Sequence, residues 1–360
     1  MDKDKLRGVW QALNERLSAV SFEAIWPGFS PYDFALYTPE LACIQGDIRG
    51  KPPSFIGNTA LAFEGRPLAI WQLEETGLPE GDELDRLAAN LIHEMFHAFQ
   101  GEKGESRFPR DLELLLYPYR EDLVAWTIRE SRLLSQADPY TKENSGHEAG
   151  RLLEAVAAVR QEKDKLAGSA TLNEYRTETA EGLAEYAGYR GLCQINQTLA
   201  EKTLAGYREQ LSSNLHLFDI RRRCYFSGVL LAVALERAGY PLAHDLACPR
   251  TLWEELAIPS GKASPLTDGE RARAASLMQE EEKRRAGLLA SFQEEFKQES
   301  PLHALICGYD PMNLTRVGDF LISTHFLMTE KDGQKQPWMG RHLFRMKKGH
   351  EIAVEAVYFE

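Results

Sequence analysis

The sequence predicts an α+β protein: a mainly helical core, a small N-terminal sheet ahead of it and a β-rich C-terminal tail behind. Three observations carry that expectation. From residue 82 to about residue 239, apolar residues recur every three to four positions, the period of amphipathic helices. Between residues 30 and 75, short apolar runs are broken by Gly, Pro and Asn, the texture of strands and turns. Beyond residue 306 the strand texture returns.

Residues 3–19 open the chain with a helix whose one face carries Leu6, Val9, Trp10, Leu13 and Leu17. Residues 34–37, 41–44, 60–63 and 68–71 predict strands, with a hairpin turn over 64–67. Helices are expected near 83–100, 111–136, 147–166, 171–190, 199–216 and 222–238. The charged segment 267–298 reads as a long surface helix with Ala275, Met278, Leu289, Phe292 and Phe296 as its inward stripe. Residues 321–324, 338–344 and 352–358 read as strands, and Asp332-Gly333 as a hairpin turn. The run 308–313 reads as a turn joining the last helix to the tail, with no chemistry assigned. The organisation expected is one domain over 1–305, with its sheet at 30–75, helical core at 82–240 and helical extension at 241–305, followed by a small β-rich region at 306–360.

Forty-two basic residues face 54 acidic ones, a net charge of −12, which argues against a nucleic-acid or anionic-membrane surface. No uncharged apolar stretch reaches the roughly 18 residues of a membrane span, and the N-terminus opens no run of signal-peptide character. The five cysteines are scattered and form no Cys-x-x-Cys pair, so neither a disulfide framework nor a cysteine zinc site is indicated. A cytoplasmic protein is expected.

The chemistry-bearing motif is His93-Glu94-Met95-Phe96-His97. Asp82, with Asp85 three residues on, is expected to cap its helix, and Gly101 to stop it. Leu84, Leu87, Leu91, Ile92, Met95 and Phe99 share a broad apolar arc; Asn90, His93, Glu94, His97 and Gln100 share the remainder. Histidines at i and i+4 point the same way and can reach one ion, with Glu94 beside them to face a metal-bound water. A catalytic zinc takes three protein ligands and leaves one position open. Gln100 and Lys103 stand where a longer motif on the same helix would need Gly and a third His.

The missing ligand is sought downstream, where Glu174, Glu178, Glu181 and Glu185 fall on one helical face. Such a cluster reads either as a solvated acidic face or, since like charges at i, i+4 oppose helix formation, as one that needs a cation or another reason. Small residues Gly182 and Ala184 would let this helix pack closely against another.

Glu181-Gly182-Leu183-Ala184-Glu185-Tyr186 resembles the second motif of the glutamate zincins (gluzincins), E-G-x-A-x-Y, the clan of thermolysin and related aminopeptidases. The resemblance implies a zincin-like core in which His93, His97 and Glu181 bind Zn2+, Glu94 is the general base and Glu185 orients a zinc histidine. It covers two short motifs. The interval from His97 to Glu181 is longer than in thermolysin, implying an inserted helical pair over about 108–166 and leaving Glu178 as a rival ligand. The resemblance also implies an oxyanion donor on a later helix. Tyr225 fits that place, three residues before Gly228, or is an ordinary half-buried aromatic; Tyr186 and His216 are lesser candidates.

Gly57-Asn58-Thr59-Ala60 is either an edge that pairs with an extended peptide or a loop without a ligand. The G-x-M-E-N sequence of gluzincin aminopeptidases is missing. His147, His244, His303, His325, His342 and His350 show no ligand spacing and read as surface or core residues. The function expected is zinc-dependent hydrolysis of a peptide or small amide. The alternatives are a catalytically silent zincin-fold protein and a hydrolase of non-peptide amides or esters.

Overall fold

The computed structural model describes residues 2–74, 78–138, 146–242 and 245–360 and has the α+β class expected. Helix α1 (Lys3–Ser18) is followed by a single turn, α2 (Phe22–Ile25), and by strands β1 (Asp33–Tyr37), β2 (Leu41–Ile44), β3 (Asp47–Gly50), β4 (Thr59–Phe63) and β5 (Arg66–Gln72). Their sheet order is β3-β2-β1-β5-β4, with β1 and β5 parallel and the other pairs antiparallel. Strand alternation sorts the two faces. Phe34, Leu36 and Ala69 join the main core of the helices, whereas Ala35, Tyr37, Leu68 and Ile70 pack with Phe55 on the other side. β3 was not expected, because Asp47-Ile48-Arg49-Gly50 carries a single apolar residue.

The helical core comprises α3 (Asp82–Glu102), α4 (Asp111–Leu114), α5 (Glu121–Leu134), α6 (Gly146–Ala167), α7 (Ser169–Ile195), α8 (Gln197–Ser212) and α9 (Ile220–Arg237). The helix expected over 111–136 is interrupted after Leu114; Pro118 has no N–H to continue the ladder and disfavours helix at Tyr117. At the start of α3, Gly81 and not Asp82 occupies the cap, at φ 50°. Asp85 accepts instead from Arg16 of α1 (2.7 Å) and Asn196 (2.9 Å), tying α3 to its neighbours. Nor does Gly101 stop the helix, which runs to Glu102 and reverses at Gly104, φ 79°.

Helices α3, α7 and α9 approach closely enough to place the site. A Cβ on Gly182 of α7 would lie 2.5 Å from Gly228 Cα on α9, and one on Gly188 would lie 2.7 Å from Ala89 O on α3. Gly228 therefore makes room for α7 rather than for Tyr225.

After α10 (Leu252–Glu255), α11 (Asp268–Glu295) carries capping box Thr267/Glu270 at its start. Ala274 and Phe292 are its buried residues, with Ala275, Met278 and Leu289 half-buried and Phe296 buried just beyond its end. The chain then forms β6 (Gln298–Tyr309), β7 (Leu314–Val317), β8 (Phe320–Ser323), β9 (Phe326–Lys331), β10 (Gln334–Met339), β11 (His342–Met346) and β12 (Ala353–Phe359). They make an antiparallel sheet ordered β10-β9-β6-β12-β11-β8-β7. Phe292 and Phe296 pack on one face through Ile322 and Leu343; Leu112 of α4 joins Ile306, Leu321 and Phe344 on the other. Residues 308–313 thus end a strand and form a 3-10 turn (Pro311–Asn313) inside this sheet, not a link from the last helix. Among the described residues no helix is long and apolar enough to cross a membrane.

Candidate metal centre

His93 and His97 stand one turn apart on α3, and α7 lies alongside to deliver Glu181 and Glu185. The side of α3 that carries them faces protein: His93 and Glu94 are buried and Gln100 is fully so. His93 Nδ1 lies 2.8 Å from Glu185 Oε2, and His97 Nδ1 lies 2.7 Å from Gln100 Oε1. Both partners are acceptors, so each imidazole carries a proton on Nδ1 and turns Nε2 inward. The two Nε2 atoms are 3.0 Å apart. Glu181 Oε2 lies 3.3 Å from that of His97 and 3.8 Å from that of His93, is buried, and accepts no hydrogen bond. Three atoms that can each offer a lone pair, the imidazole nitrogens once deprotonated, lie within 4.8 Å of one another, an arrangement that could hold a metal ion.

The electrostatics agree. Burial pushes the His97 pKa down, but the Glu181 carboxylate outweighs it and raises the group to about 9. For Glu181 burial acts upward, and His97 and Arg221 more than reverse it, holding the carboxyl well below its ordinary range. The surroundings therefore favour positive charge between the three side chains.

Further contacts steady this arrangement. Tyr207 donates its hydroxyl to Glu185 Oε1, and Gln100 donates to Ala180 O at 3.0 Å. Arg221 of α9 donates to Glu181 Oε1 at 2.6 Å and pairs with Asp111, whose other oxygen accepts from Tyr309 at 3.4 Å. Glu94 is aimed into the cleft and makes no hydrogen bond among the described residues. Burial raises its pKa, and the histidines counteract part of that rise. Tyr225 stacks on His93, ring centroids 5.6 Å apart at 8°. Burial and the Glu181 charge push its phenol well up, so it stays protonated.

The other glutamates of α7 serve a different purpose. Glu178 accepts from Arg160 (2.8 Å) and Ser227 (2.7 Å), away from the histidines, so the rival ligand is excluded by position. Glu174 accepts from Lys163, Arg223 and Tyr117, each at 2.7 Å. With Glu130, which accepts from Arg160 and Lys163, they form a buried network of three carboxylates and three cations. It joins α5, α6, α7 and α9 beneath the site.

Tyr186 donates to Glu236 at 2.9 Å outside the cleft, and His216 lies against Phe226 and lines a separate cavity, so neither lesser oxyanion candidate reaches the centre. Among the remaining histidines His325 lines the cleft, its Nδ1 2.6 Å from Asp310; His244 lies outside the described residues. Sequence reasoning missed Arg221, Gln100 and Tyr207, and missed that residues 309–313 and 324–326 wall the cleft. Gln100, three residues after His97, had a readable helical spacing; the others had no local signal.

The cleft, about 1340 Å³, runs over the His-His-Glu group. The edge strand β4 and Gly57, Asn58 and Thr59 form one wall and the C-terminal sheet the other. Compared with known proteins, the chain matches no family model, no curated protein and no solved structure.

Proposed function

We propose that the protein is a zinc-dependent hydrolase of the gluzincin kind, acting on peptide bonds. The observation that carries this reading is the convergence of His93 Nε2, His97 Nε2 and Glu181 Oε2 in a cleft beside Glu94, which makes no hydrogen bond among the described residues. Two imidazoles and one carboxylate are a donor set suited to Zn2+ with a position left open. Bound there, zinc would polarise a substrate carbonyl and bring the pKa of a water to about 7.

The chain's own residues supply the remainder. Glu94 accepts the proton of the attacking water and passes it to the leaving amine. Its burial favours the protonated form that the carboxylate takes on during the transfer. Tyr225 offers an O–H to the oxygen that gains negative charge. Glu185 and Gln100 hold the two imidazoles in the tautomer that leaves Nε2 free. A peptide suits the cleft because β4 pairs with β5 along one side only, leaving backbone groups of its other side for an extended chain.

The test combines metal analysis with Glu94→Gln. One equivalent of zinc is expected in both proteins, with cleavage of a mixed peptide library by the native protein alone. Undiminished turnover by the variant would remove Glu94 from the mechanism, and a native protein without zinc would overturn the reading.

A further inference from the structure

We infer that the cavity between the start of α9, α11 and β7 is an anion site that takes a phosphate group. This cavity, about 360 Å³, lies behind one wall of the cleft and shares Arg221, Pro311 and Met312 with it. Arg222, Arg284, Arg285 and Arg316 also line it, an unusual gathering in a chain of net charge −12.

Their partners can be accounted for one by one. Arg222 pairs with Asp219 at 3.2 Å, while Arg284 and Arg285 share Glu281 at 2.7 and 2.5 Å. Arg221 is taken up by Asp111 and Glu181. Arg316 is left over. Only 9% exposed, it donates through Nε to Gly318 O at 3.2 Å, and among the described residues its guanidinium enters no ion pair. Burial pushes its pKa down, and the more distant Asp319 and Glu351 offset only part of that.

A buried cation without a counter-charge is costly, and an arginine fork matches the oxygens of a phosphate. Five arginines line the cavity against three carboxylates, Asp111, Asp219 and Glu281, a surplus of positive charge suited to an anion. Leu114, Leu115, Tyr119 and Phe218 supply apolar wall beside the charges, and the volume admits a small organic group on the phosphate.

The test titrates the full-length protein with inorganic phosphate and with phenyl phosphate at fixed ionic strength, by calorimetry and thermal melting. Saturable binding is expected, weakened at least tenfold by Arg316→Met and by Arg284→Gln. Without phosphate, Arg316→Met should melt no lower than the native protein, because it removes a buried charge that Asp319 and Glu351 compensate only in part. Tighter binding of phenyl phosphate would identify a monoester as the ligand; equal or weaker binding would identify free phosphate. Absence of saturable binding, binding that survives Arg316→Met, or a lower melting point for that variant without phosphate would each overturn the proposal.

Discussion

Glu185 Oε2 lies 2.8 Å from His93 Nδ1, so a side chain on α7 sets the tautomer of a side chain on α3. The same carboxylate is anchored by Tyr207, which fixes its direction. Glu185→Gln should lower zinc affinity by about 10–100-fold while leaving helical content intact. Chelator competition measures the first and circular dichroism the second. Unchanged affinity would deny Glu185 this positioning role.

Close helix contact makes a second prediction. Gly182→Ala drives a methyl group into Gly228 backbone and should cost about 1–3 kcal/mol, with weakened metal binding, since α7 must retreat. Gly150 of α6 has nothing within 4 Å of an added Cβ, so Gly150→Ala should instead stabilise by roughly 0.5–1 kcal/mol. Urea unfolding of the pair reads both signs.

Acid should loosen the buried ion network in a defined window. Burial alone would raise the Glu174 pKa, but Lys163 and Arg223 outweigh it and bring it down to about 2. The unfolded value is about 4.3. Between those limits the unfolded chain binds more protons, so stability rises with pH, is fully present above the upper limit and is lost as pH falls toward 2. Glu174→Gln should flatten that part of the stability–pH curve. An unaltered slope would show that Glu174 is not held ionised.

Removing Tyr225's hydroxyl should spare the metal and harm the chemistry. Tyr225→Phe is expected to keep one zinc and lose about 10²–10³-fold in kcat on any peptide that the native protein cleaves. A change confined to KM would make Tyr225 a substrate contact instead.

Chelation supplies a further check. At a free metal concentration of about 100 Kd, metal linkage should contribute about 2.7 kcal/mol of stability, a contribution that His97→Ala abolishes. Melting curves with and without chelator should therefore coincide for that variant and separate for the native chain.

Much of this arrangement was legible in the sequence because it rests on helical spacing. His93 and His97 at i, i+4, and Glu181 and Glu185 at the same interval, each report a local geometry that survives folding. Helical spacing could not separate Glu178 from Glu181. The difference lies in which neighbour each meets, Arg160 or the histidines, and those meetings span elements far apart in the chain. Arg221 was invisible for the same reason: it reaches Glu181 across 40 positions. The misplaced ends of α3 arose from assigning caps by residue type, where Gly81 and Gly104 did the work through positive φ.

The network of Glu130, Arg160, Lys163, Glu174, Glu178 and Arg223 also bears on how the chain assembles. A folding intermediate lacking any one of α5, α6, α7 or α9 would leave charge in an apolar interior without its counterpart, a heavily penalised state. The four helices are thus expected to dock in one cooperative step. Because α7 carries Glu181, the His93-His97-Glu181 group is expected to be complete only late in folding, and a metal ion held there would report the finished fold.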